Sequence, residues 1–273
     1  MARDPLGTDR RATGPSAHAH VLWLLGYPDQ ARTQNRAALT LAQEIAHPTT
    51  TAVVWFRDTM LHEFLHDART VQQRAEALSA LCTEHGYVAF MEGAMTGRGW
   101  ALAAQGHAEE GIQQLHQGLA AARARGIELF RPHRLALLTD AYGRAGQEEE
   151  GLAALSEALT VVDKSGGRFY EADLYRLKGE LTLQQARVQR LASSAQQEAE
   201  ECFRKAMEIA RRQQAKSLEL RATMSLARLW QRQGKMAEAH EMLSTIYGWF
   251  TEGFDTKDLQ EAKALLDELS VSL

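Results

Sequence analysis

The sequence predicts an all-α protein, a solenoid of about six antiparallel helix-turn-helix repeats of about 40 residues with a C-terminal capping helix. Glycines recur at a spacing of 40, in one series at Gly86, Gly126 and Gly166 and in another at Gly106 and Gly146. The segment QGHAEEGIQQLHQGLAAARARGIELF from Gln105 aligns with AGQEEEGLAALSEALTVVDKSGGRFY from Ala145. The chain has only 5 prolines and abundant helix-forming residues, which favours helix throughout the repeats.

The two ends of the chain are expected to differ from the repeats. Residues 1–17 contain Gly, Pro and charge but no apolar core of a secretion signal, so they are predicted to be a disordered leader. Repeats are predicted over 18–254, in units of about 18–47, 48–86, 87–126, 127–166, 167–215 and 216–254. Residues 255–273 are predicted to form the capping helix, because a terminal repeat needs a polar outer face.

Glycine is the expected stop signal of each helix, because it adopts the left-handed conformation without a side-chain penalty. In the third unit, one helix ends at Gly106 and a second ends at Gly126. The second helix has an apolar stripe at helical spacing, formed by Ile112, Leu115, Leu119 and Ala122. The fourth unit repeats this design, with Pro132 in a first helical turn.

The same spacing locates the turns of the other units. The turn within each hairpin is expected at Gly26, His66, Gly106, Gly146 and Gly234. The last of these follows Gly146 by 88 residues rather than 80, so an insertion of about eight residues is expected in the fifth unit. The apolar pattern is interrupted around Ser193 and Ser194, where we expect the insertion to form a loop.

Composition excludes several classes of function. The 31 basic and 35 acidic residues are well mixed and give a formal charge of -4, which argues against a nucleic-acid or membrane partner. Cys82 and Cys202 cannot form a disulfide framework and have no neighbours at metal-ligand spacing. No apolar run approaches the roughly 18 residues of a membrane helix, and no G-x-x-x-x-G-K-[ST] loop is present. We therefore expect a soluble cytoplasmic protein without a cofactor.

Small residues flank the turns where two helices must approach. Examples are Gly99 and Gly111 around Gly106, and Ala227 and Ala239 around Gly234. This pattern resembles the tetratricopeptide repeat (TPR), and the resemblance implies a right-handed superhelix whose first helices line a concave face. The TPR period is 34 residues rather than 40, so the pitch of the superhelix does not transfer.

A narrower resemblance comes from longer segments. EEGLAALSEALTVVDKSGGRFYEADLYRLKGELTLQQ and ARRQQAKSLELRATMSLARLWQRQGKMAEAHEML, followed by IYGWFTEGFDTKDLQEAKALLDEL, are similar to the C-terminal repeat region of large bacterial regulators. In those proteins a nucleotide cyclase or a DNA-binding domain is joined to a signalling ATPase and then to such repeats. The resemblance covers roughly residues 18–270. It implies a sensory or protein-interaction arm, with an ATPase or cyclase module among its candidate partners, and it transfers no catalytic residue.

One string matches a catalytic pattern. His62-Glu63-Phe64-Leu65-His66 is an H-E-x-x-H sequence, in which two histidines one helical turn apart can bind zinc and the glutamate can activate a bound water. Glu76, Glu84 or His85 could be a third ligand, although none follows a recognised spacing. This interpretation predicts a zinc metallopeptidase.

The repeat register predicts a different role for the two histidines. His66 occupies the turn position that Gly26, Gly106 and Gly146 hold in other units. His62 falls at the packing position of Leu102 and Tyr142. We therefore expect no metal site and no catalysis, and we keep the zinc enzyme as an alternative that metal content would decide.

Nine outward positions of the first helices are expected on the concave face, and many of them are polar or charged. They are Arg57, Trp100, His133, Asp140, Arg144, Arg176, Glu180, Arg221 and Arg228. Arginines at such positions suit recognition of an extended peptide or helix through its carboxylates. The alternative is an inner face closed by intramolecular pairs such as Arg176 with Glu180, four residues apart. On the first view, joint charge reversal of Arg176, Arg221 and Arg228 should weaken partner capture and preserve helicity.

Three functions remain open from the sequence. The first is a non-catalytic protein-protein interaction scaffold, or sensory arm of a bacterial signalling regulator, that binds a protein or peptide on its concave face. The second is a regulatory module that binds a small effector. The third is the zinc metallopeptidase.

Overall fold

The computed structural model describes residues 7–189 and 192–271, and the regular structure in these residues is helical throughout. The helices of this part of the chain are α1 (Arg10–Leu25), α2 (Pro28–Ile45), α3 (Pro48–Phe64), α4 (Ala68–His85), α5 (Val88–Ala104), α6 (Ala108–Arg123), α7 (Arg131–Ala145), α8 (Glu148–Ser165), α9 (Glu171–Gln189), α10 (Ala192–Arg212), α11 (Lys216–Arg232), α12 (Met236–Tyr247) and α13 (Lys257–Val271). Within the described residues α3 packs on α4, α5 on α6, α7 on α8, α9 on α10 and α11 on α12, and each of these pairs forms a hairpin. The predicted all-α class is confirmed.

The turn within the second hairpin has histidine at the position that glycine holds in the first, third, fourth and sixth hairpins. His66 has a φ of 55°, and Gly106 and Gly146 have φ of 95° and 70° in the same position. The left-handed region costs a residue with a Cβ about 1–2 kcal/mol. The ring of His66 stacks on Trp100 with 6.1 Å between the ring centroids. The structure therefore places His66 in the turn that the repeat register assigned to it.

The turn between hairpins has its own 40-residue period. Left-handed backbone occurs at Ala46, Gly86, Gly126, Gly166 and Gln214, with φ of 50°, 69°, 68°, 70° and 57°. The first four positions are spaced by 40 residues, and the fifth follows after 48. The backbone thus keeps the repeat where the sequence has no glycine, and eight extra residues lie in the fifth hairpin.

The extra residues lengthen two helices and do not form a loop at Ser194. Helices α9 and α10 contain 19 and 21 residues, compared with 15 and 18 in α7 and α8. Ser194 lies inside α10, and residues 190 and 191 fall outside the described residues. Serine is only a mildly unfavourable helix residue. The apolar face of α10 is buried through Ala199, Phe203 and Ala206, which holds the whole helix in place.

Residues 10–17 are helical, which corrects the expected leader over 1–17. Helix α1 begins at Arg10 and buries a stripe of small side chains at Ala12, Thr13, Ser16 and Ala19. The Gly-Pro pair favoured a break in the sequence, but Pro15 removes only one backbone N–H from the helix. Burial of the stripe against α3 outweighs that loss. Residues 1–6 lie outside the described part of the chain.

Two compact units divide the array that the sequence predicted as continuous. The first comprises the described residues of Met1–Trp23 together with Pro28–Leu129. The second comprises Leu24–Tyr27 and Phe130–Leu273. The main boundary falls in the connection between α6 and α7.

Helices α5 and α6 of the first unit approach each other at two glycines. A Cβ on Gly99 would lie 2.7 Å from the carbonyl oxygen of Gly111, and a Cβ on Gly111 would lie 2.4 Å from the carbonyl oxygen of Gly99. Backbone therefore packs on backbone here, and neither position has room for a side chain. This close approach of the two backbones explains why small residues flank the Gly106 turn in the sequence.

Helix α13 completes the second unit. Its buried residues Leu259, Ala262 and Leu266 pack with Leu243 and Ile246 of α12. Its exposed side chains are polar at Lys257, Gln260, Lys263, Asp267 and Glu268. The helix thus buries one face and presents a charged face to solvent.

Replacement of Gly111 by alanine should destabilise the protein, whereas the same change at Gly151, 40 residues later, should be nearly neutral. A Cβ at Gly111 meets backbone atoms, whereas the nearest atom to a Cβ at Gly151 is Leu181 Cδ1 at 2.9 Å, the end of a rotatable side chain. We expect a loss of about 1–3 kcal/mol for Gly111→Ala. At Gly151 the helix propensity of alanine, up to about 1 kcal/mol, offsets the crowding. Urea unfolding followed by circular dichroism measures both, and equal losses would contradict the close approach.

Candidate functional site

A groove in the second unit crosses α7, α9 and α11, the first helices of three consecutive hairpins. One cavity, of about 240 Å³, is lined by Thr139, Asp140, Gly143, Arg144, Leu177 and Leu181. The other, of about 170 Å³, is lined by Leu183, Phe203, Ser225, Arg228, Leu229 and Arg232. Glu180 and Gln184, one turn apart on α9, line both cavities. We call the combined surface the inner groove.

Arg176 lies at the centre of an ion network beside the inner groove. Its Nε donates to Asp173 Oδ1 at 2.5 Å, and its Nη1 lies 2.8 Å from Glu180 Oε2. Ser225 Oγ of α11 donates to Glu180 Oε1 at 2.8 Å. Burial acts to raise the pKa of Asp173, but the charge and hydrogen bonds of Arg176 hold that pKa below its ordinary value. Arg176 and Glu180 therefore form the intramolecular pair that the sequence left as an alternative.

Arg221 and Arg228 have different surroundings on α11. Arg221 is 3% exposed, and its Nη2 lies 2.8 Å from Asp258 Oδ2 of α13. Burial raises the pKa of Asp258 even though Arg221 is adjacent. Arg228 is 39% exposed and pairs with Glu261 at 2.9 Å. The predicted role of Arg221 in partner contact is corrected, because α13 covers the position that a partner was expected to occupy.

Asp140 and Arg144 lie on the α7 wall of the inner groove. Arg144 Nε donates to Asp140 Oδ2 at 2.9 Å, and both side chains remain partly exposed. Their separation of four residues puts them on one helix face. The structure therefore brings four predicted site residues, Asp140, Arg144, Glu180 and Arg228, to one surface.

Two predicted site residues with rings are internal. His133 of α7 is 2% exposed, and its ring meets Tyr170 edge-on with 4.8 Å between centroids. Trp100, in the first unit, is 3% exposed and stacks on His66. Flat rings fill the space between neighbouring helices, and counting outward positions from the sequence did not separate this space from the open face. The expected partner contacts of both residues are therefore corrected.

Arg57 is also held by contacts within the first unit. Its Nη1 donates to the carbonyl oxygen of Thr13 at 2.5 Å and to Ser16 Oγ at 3.2 Å. Its own carbonyl oxygen lies 2.7 Å from Nε2 of His20. Hydrogen bonds of Arg57 thus connect α1 to α3, and its predicted role on a partner-binding face is corrected.

Most lining residues of the inner groove were missed from the sequence, and Gln184, Gly143 and Ser225 are three of them. Gln184 follows Glu180 by one helical turn, Gly143 follows Asp140 by three residues, and Ser225 bonds to Glu180 from α11. The helical spacing of Gly143 from Asp140 and of Gln184 from Glu180 was the signal in the sequence that could have identified them. It was passed over because the sequence argument selected charged and aromatic side chains.

The H-E-x-x-H string serves helix packing. His62 Nε2 lies 3.4 Å from Asp58 Oδ1, and its Nδ1 lies 3.6 Å from Asp67 Oδ2. Asp58 accepts from Asn35 Nδ2 at 2.6 Å, and Asp67 caps α4 by accepting from the backbone N–H of Thr70 at 3.1 Å. Burial acts to raise the pKa of Asp67, but the Thr70 hydrogen bonds and the nearby His62 hold it below its ordinary value.

Two searches of the described residues bear on the remaining functions. No group of three His, Cys, Asp or Glu residues within 7–189 and 192–271 is arranged to hold a metal ion. None of the helices in the same ranges combines the length and the apolar character needed to cross a bilayer.

Comparison with solved structures supports the helical-repeat fold. The apo form of RapI matches with a TM-score of 0.53 and 13% identity, over 96% of this chain and 97% of that one. The TPR2AB-domain of yeast Sti1 in its pHSP90 complex matches with a TM-score of 0.38 and 14% identity, over 95% and 98% of the two chains. No family model matches the sequence, and no curated protein matches it either. The match to RapI shows that the chain shares its all-α helical-repeat fold.

Acidification should destabilise the protein through His20. Burial lowers the pKa of His20 from 6.5 to about 4. Between these values the unfolded chain binds a proton that the folded chain does not, so the free energy of unfolding falls as the pH is lowered from 6.5 towards 4. The full shift corresponds to about 3 kcal/mol, and we expect on the order of 2 kcal/mol because the side chain is partly exposed.

Urea unfolding at several pH values measures this dependence. His20→Gln should flatten the profile between pH 6.5 and 4. His18 is exposed and two residues away on the same helix, so His18→Gln is the matched control and should follow the wild type. Identical profiles for the two variants would contradict the assignment.

Removal of Arg221 should cost far more stability than removal of Arg228. Arg221→Ala takes the nearest cation from the mostly buried carboxyl of Asp258, and loss of one partner of a buried pair costs about 3–5 kcal/mol. The Arg228–Glu261 pair is exposed on both sides, and such pairs contribute about 0–1 kcal/mol. Urea unfolding at neutral pH compares the two variants. A loss below 1 kcal/mol for Arg221→Ala would contradict the assignment.

Proposed function

We propose that this chain is a non-catalytic interaction module that binds an extended peptide segment of a protein partner in the inner groove. The supporting observation is the pair of adjoining cavities across α7, α9 and α11. The buried side chains of Leu177, Leu181 and Leu229 form part of the lining, beside polar and charged side chains. A groove that combines apolar and polar groups can contact both the side chains and the main chain of a peptide.

The size of the cavities favours a peptide over a small effector. The two cavities measure about 170 and 240 Å³. Sites that enclose a small molecule usually measure about 300–1,000 Å³. A row of smaller cavities on successive helices suits a chain that presents one side chain to each of them.

The wider role that we propose is that of a sensory arm in a bacterial signalling regulator. The similarity of the longer sequence segments to the repeat regions of such regulators supports this role. An ATPase or cyclase module is then the proposed protein partner, and the cytoplasm is the proposed location. The presence of a gene for such a module beside the gene for this chain would decide this part of the proposal.

One observation favours a small effector as a second candidate. A cavity of about 480 Å³ in the first unit lies among Asp9, Arg11, Glu44, His47 and Thr50. Its volume is within the range of small-molecule sites. A thermal-shift screen of the full chain with charged metabolites tests this candidate.

Peptides selected on the full chain from a random twelve-residue phage library should bind in the inner groove. Gly143→Leu fills the cavity between α7 and α9, and Leu183→Trp fills the cavity between α9 and α11. Each variant should raise the Kd of the selected peptides about tenfold or more, because each displaces an anchoring side chain worth 1.4 kcal/mol or more. Fluorescence anisotropy with synthetic peptides measures these constants.

Ala153→Leu is the control for added bulk. Ala153 is exposed on α8, away from the residues that line the groove, so this variant should bind as the wild type does. Circular dichroism verifies that all three variants are folded. Peptides that bind both groove variants with wild-type affinity would exclude the inner groove as the binding surface.

A further inference from the structure

Gln184 is a polar residue of the inner groove whose side-chain oxygen has no hydrogen-bond partner among the described residues. This oxygen, Oε1, is also shielded from solvent. A buried amide oxygen without a partner is destabilising in the free protein. Such an atom calls for a functional explanation because the alternative, an apolar side chain, would fit the same place at lower cost.

The position of Gln184 connects this oxygen to the groove. Gln184 lines the cavity against α7 and the cavity against α11, so a segment that passes from one cavity to the other must cross it. Glu180 shares this position but is already held by Arg176 and by Ser225. Gln184 is thus the member of the pair that can turn to a ligand.

Gly143 keeps the approach to Gln184 open from the α7 side. A Cβ on Gly143 would lie 3.4 Å from Gln184 Oε1 and 3.1 Å from Leu181 Cδ2. Any larger side chain at this place would crowd the carboxamide. Glycine at this place therefore keeps side-chain bulk away from the carboxamide.

The carboxamide of Gln184 matches the hydrogen-bonding groups of a peptide unit. It offers one acceptor oxygen and an NH₂ donor, and a peptide unit offers one N–H and one C=O. This match holds whichever way the carboxamide is turned. A contact of this kind holds a main chain without selecting its side chains.

The α11 side of the groove supplies a preference for negative charge. Arg228 and Arg232 lie one turn apart there and both line the cavity. The pair of Arg228 with Glu261 is exposed on both sides, and exposed pairs contribute little to stability. A carboxylate of an incoming segment can therefore replace Glu261 on Arg228, with bidentate geometry available.

We propose that Gln184 is the main-chain anchor of the inner groove, and that the occupant is an extended acidic segment whose carboxylate lies against Arg228 and Arg232. The proposal rests on the proposed function and names the chemistry of its ligand. Two contacts define it. The first is a hydrogen bond between the Gln184 carboxamide and one peptide unit, and the second is an ion pair on α11.

The first test uses the peptides whose binding is lost in Gly143→Leu. Gln184→Leu should raise their Kd about tenfold, as expected for loss of one buried hydrogen bond. The same variant should raise the Tm of the free protein by roughly 2–4 °C, because it removes an unsatisfied buried group. Gln185→Leu, one residue along the helix and outside the groove lining, is the matched control and should bind normally.

A scan of the peptide by N-methylation identifies the main-chain contact. One methylated amide should weaken binding to the wild type about tenfold and cause no further loss in Gln184→Leu. A residue with a purely structural role would not couple to one peptide N–H in this way. If every methylated peptide loses the same affinity in both proteins, the anchor is overturned.

The second test concerns the acidic residue of the segment. Its replacement by the neutral amide should weaken binding to the wild type and should have no effect in Arg228→Gln with Arg232→Gln. Selected peptides without an acidic residue, or with equal losses in both proteins, would overturn the ion pair. If peptides that require the groove bind Gln184→Leu with the wild-type Kd, the anchor is overturned and the proposed function stands. An absence of groove-dependent peptides would overturn the proposed function itself.

Discussion

Charged side chains lie between the packed first helices of the second unit, and the stability of this unit depends on their having partners within the protein. Asp173, Arg176 and Glu180 of α9, Arg221 of α11 and Asp258 of α13 lie on this face, and their strongest contacts are with one another. Buried ions are stable only when they are paired and hydrogen-bonded. The hydrogen bond from Ser225 to Glu180 joins α11 to α9, and the Arg221–Asp258 pair joins α11 to α13. Side chains engaged in these contacts hold the helices together, whereas other side chains of the groove can contact a ligand.

Glycines on the first helices of both units permit close packing of neighbouring side chains. In the first unit, a Cβ on Gly93 would lie 2.4 Å from the ring of Phe56, and a Cβ on Gly97 would lie 2.8 Å from Thr59. These glycines let α3 and α5 pack closely. In the second unit, a Cβ on Gly179 of α9 would lie 2.5 Å from the ring of Phe203, so this glycine also permits close packing. Gly143 lines a cavity, and a Cβ there would lie 3.1 Å from Leu181 Cδ2. Glycine therefore allows close packing in both units and also borders the inner groove in the second.

The sequence predicted the helical hairpins because their signals are local. Spacing of glycines and apolar stripes places a turn at His66 even though that residue breaks the glycine series, and the structure agrees. The inner groove was predicted only in part. Asp140, Arg144, Glu180 and Arg228 were chosen as charges on the expected face. Counting along one helix could not show that α13 covers Arg221 or that rings bury His133, because both depend on neighbours distant in sequence.

The eight additional residues of the fifth hairpin have a consequence for the shape of the inner groove. Helix α9 continues for five residues beyond Gln184, whereas α7 ends two residues after Gly143, its neighbour across the cavity. At about 1.5 Å per residue, the central helix outruns the α7 wall by roughly 4–5 Å. The end of α9 therefore protrudes beyond the end of α7 at one border of the groove. A segment that crosses the helices from one cavity to the other therefore meets the protruding end of α9 on one side only, so the two sides of the groove are not equivalent.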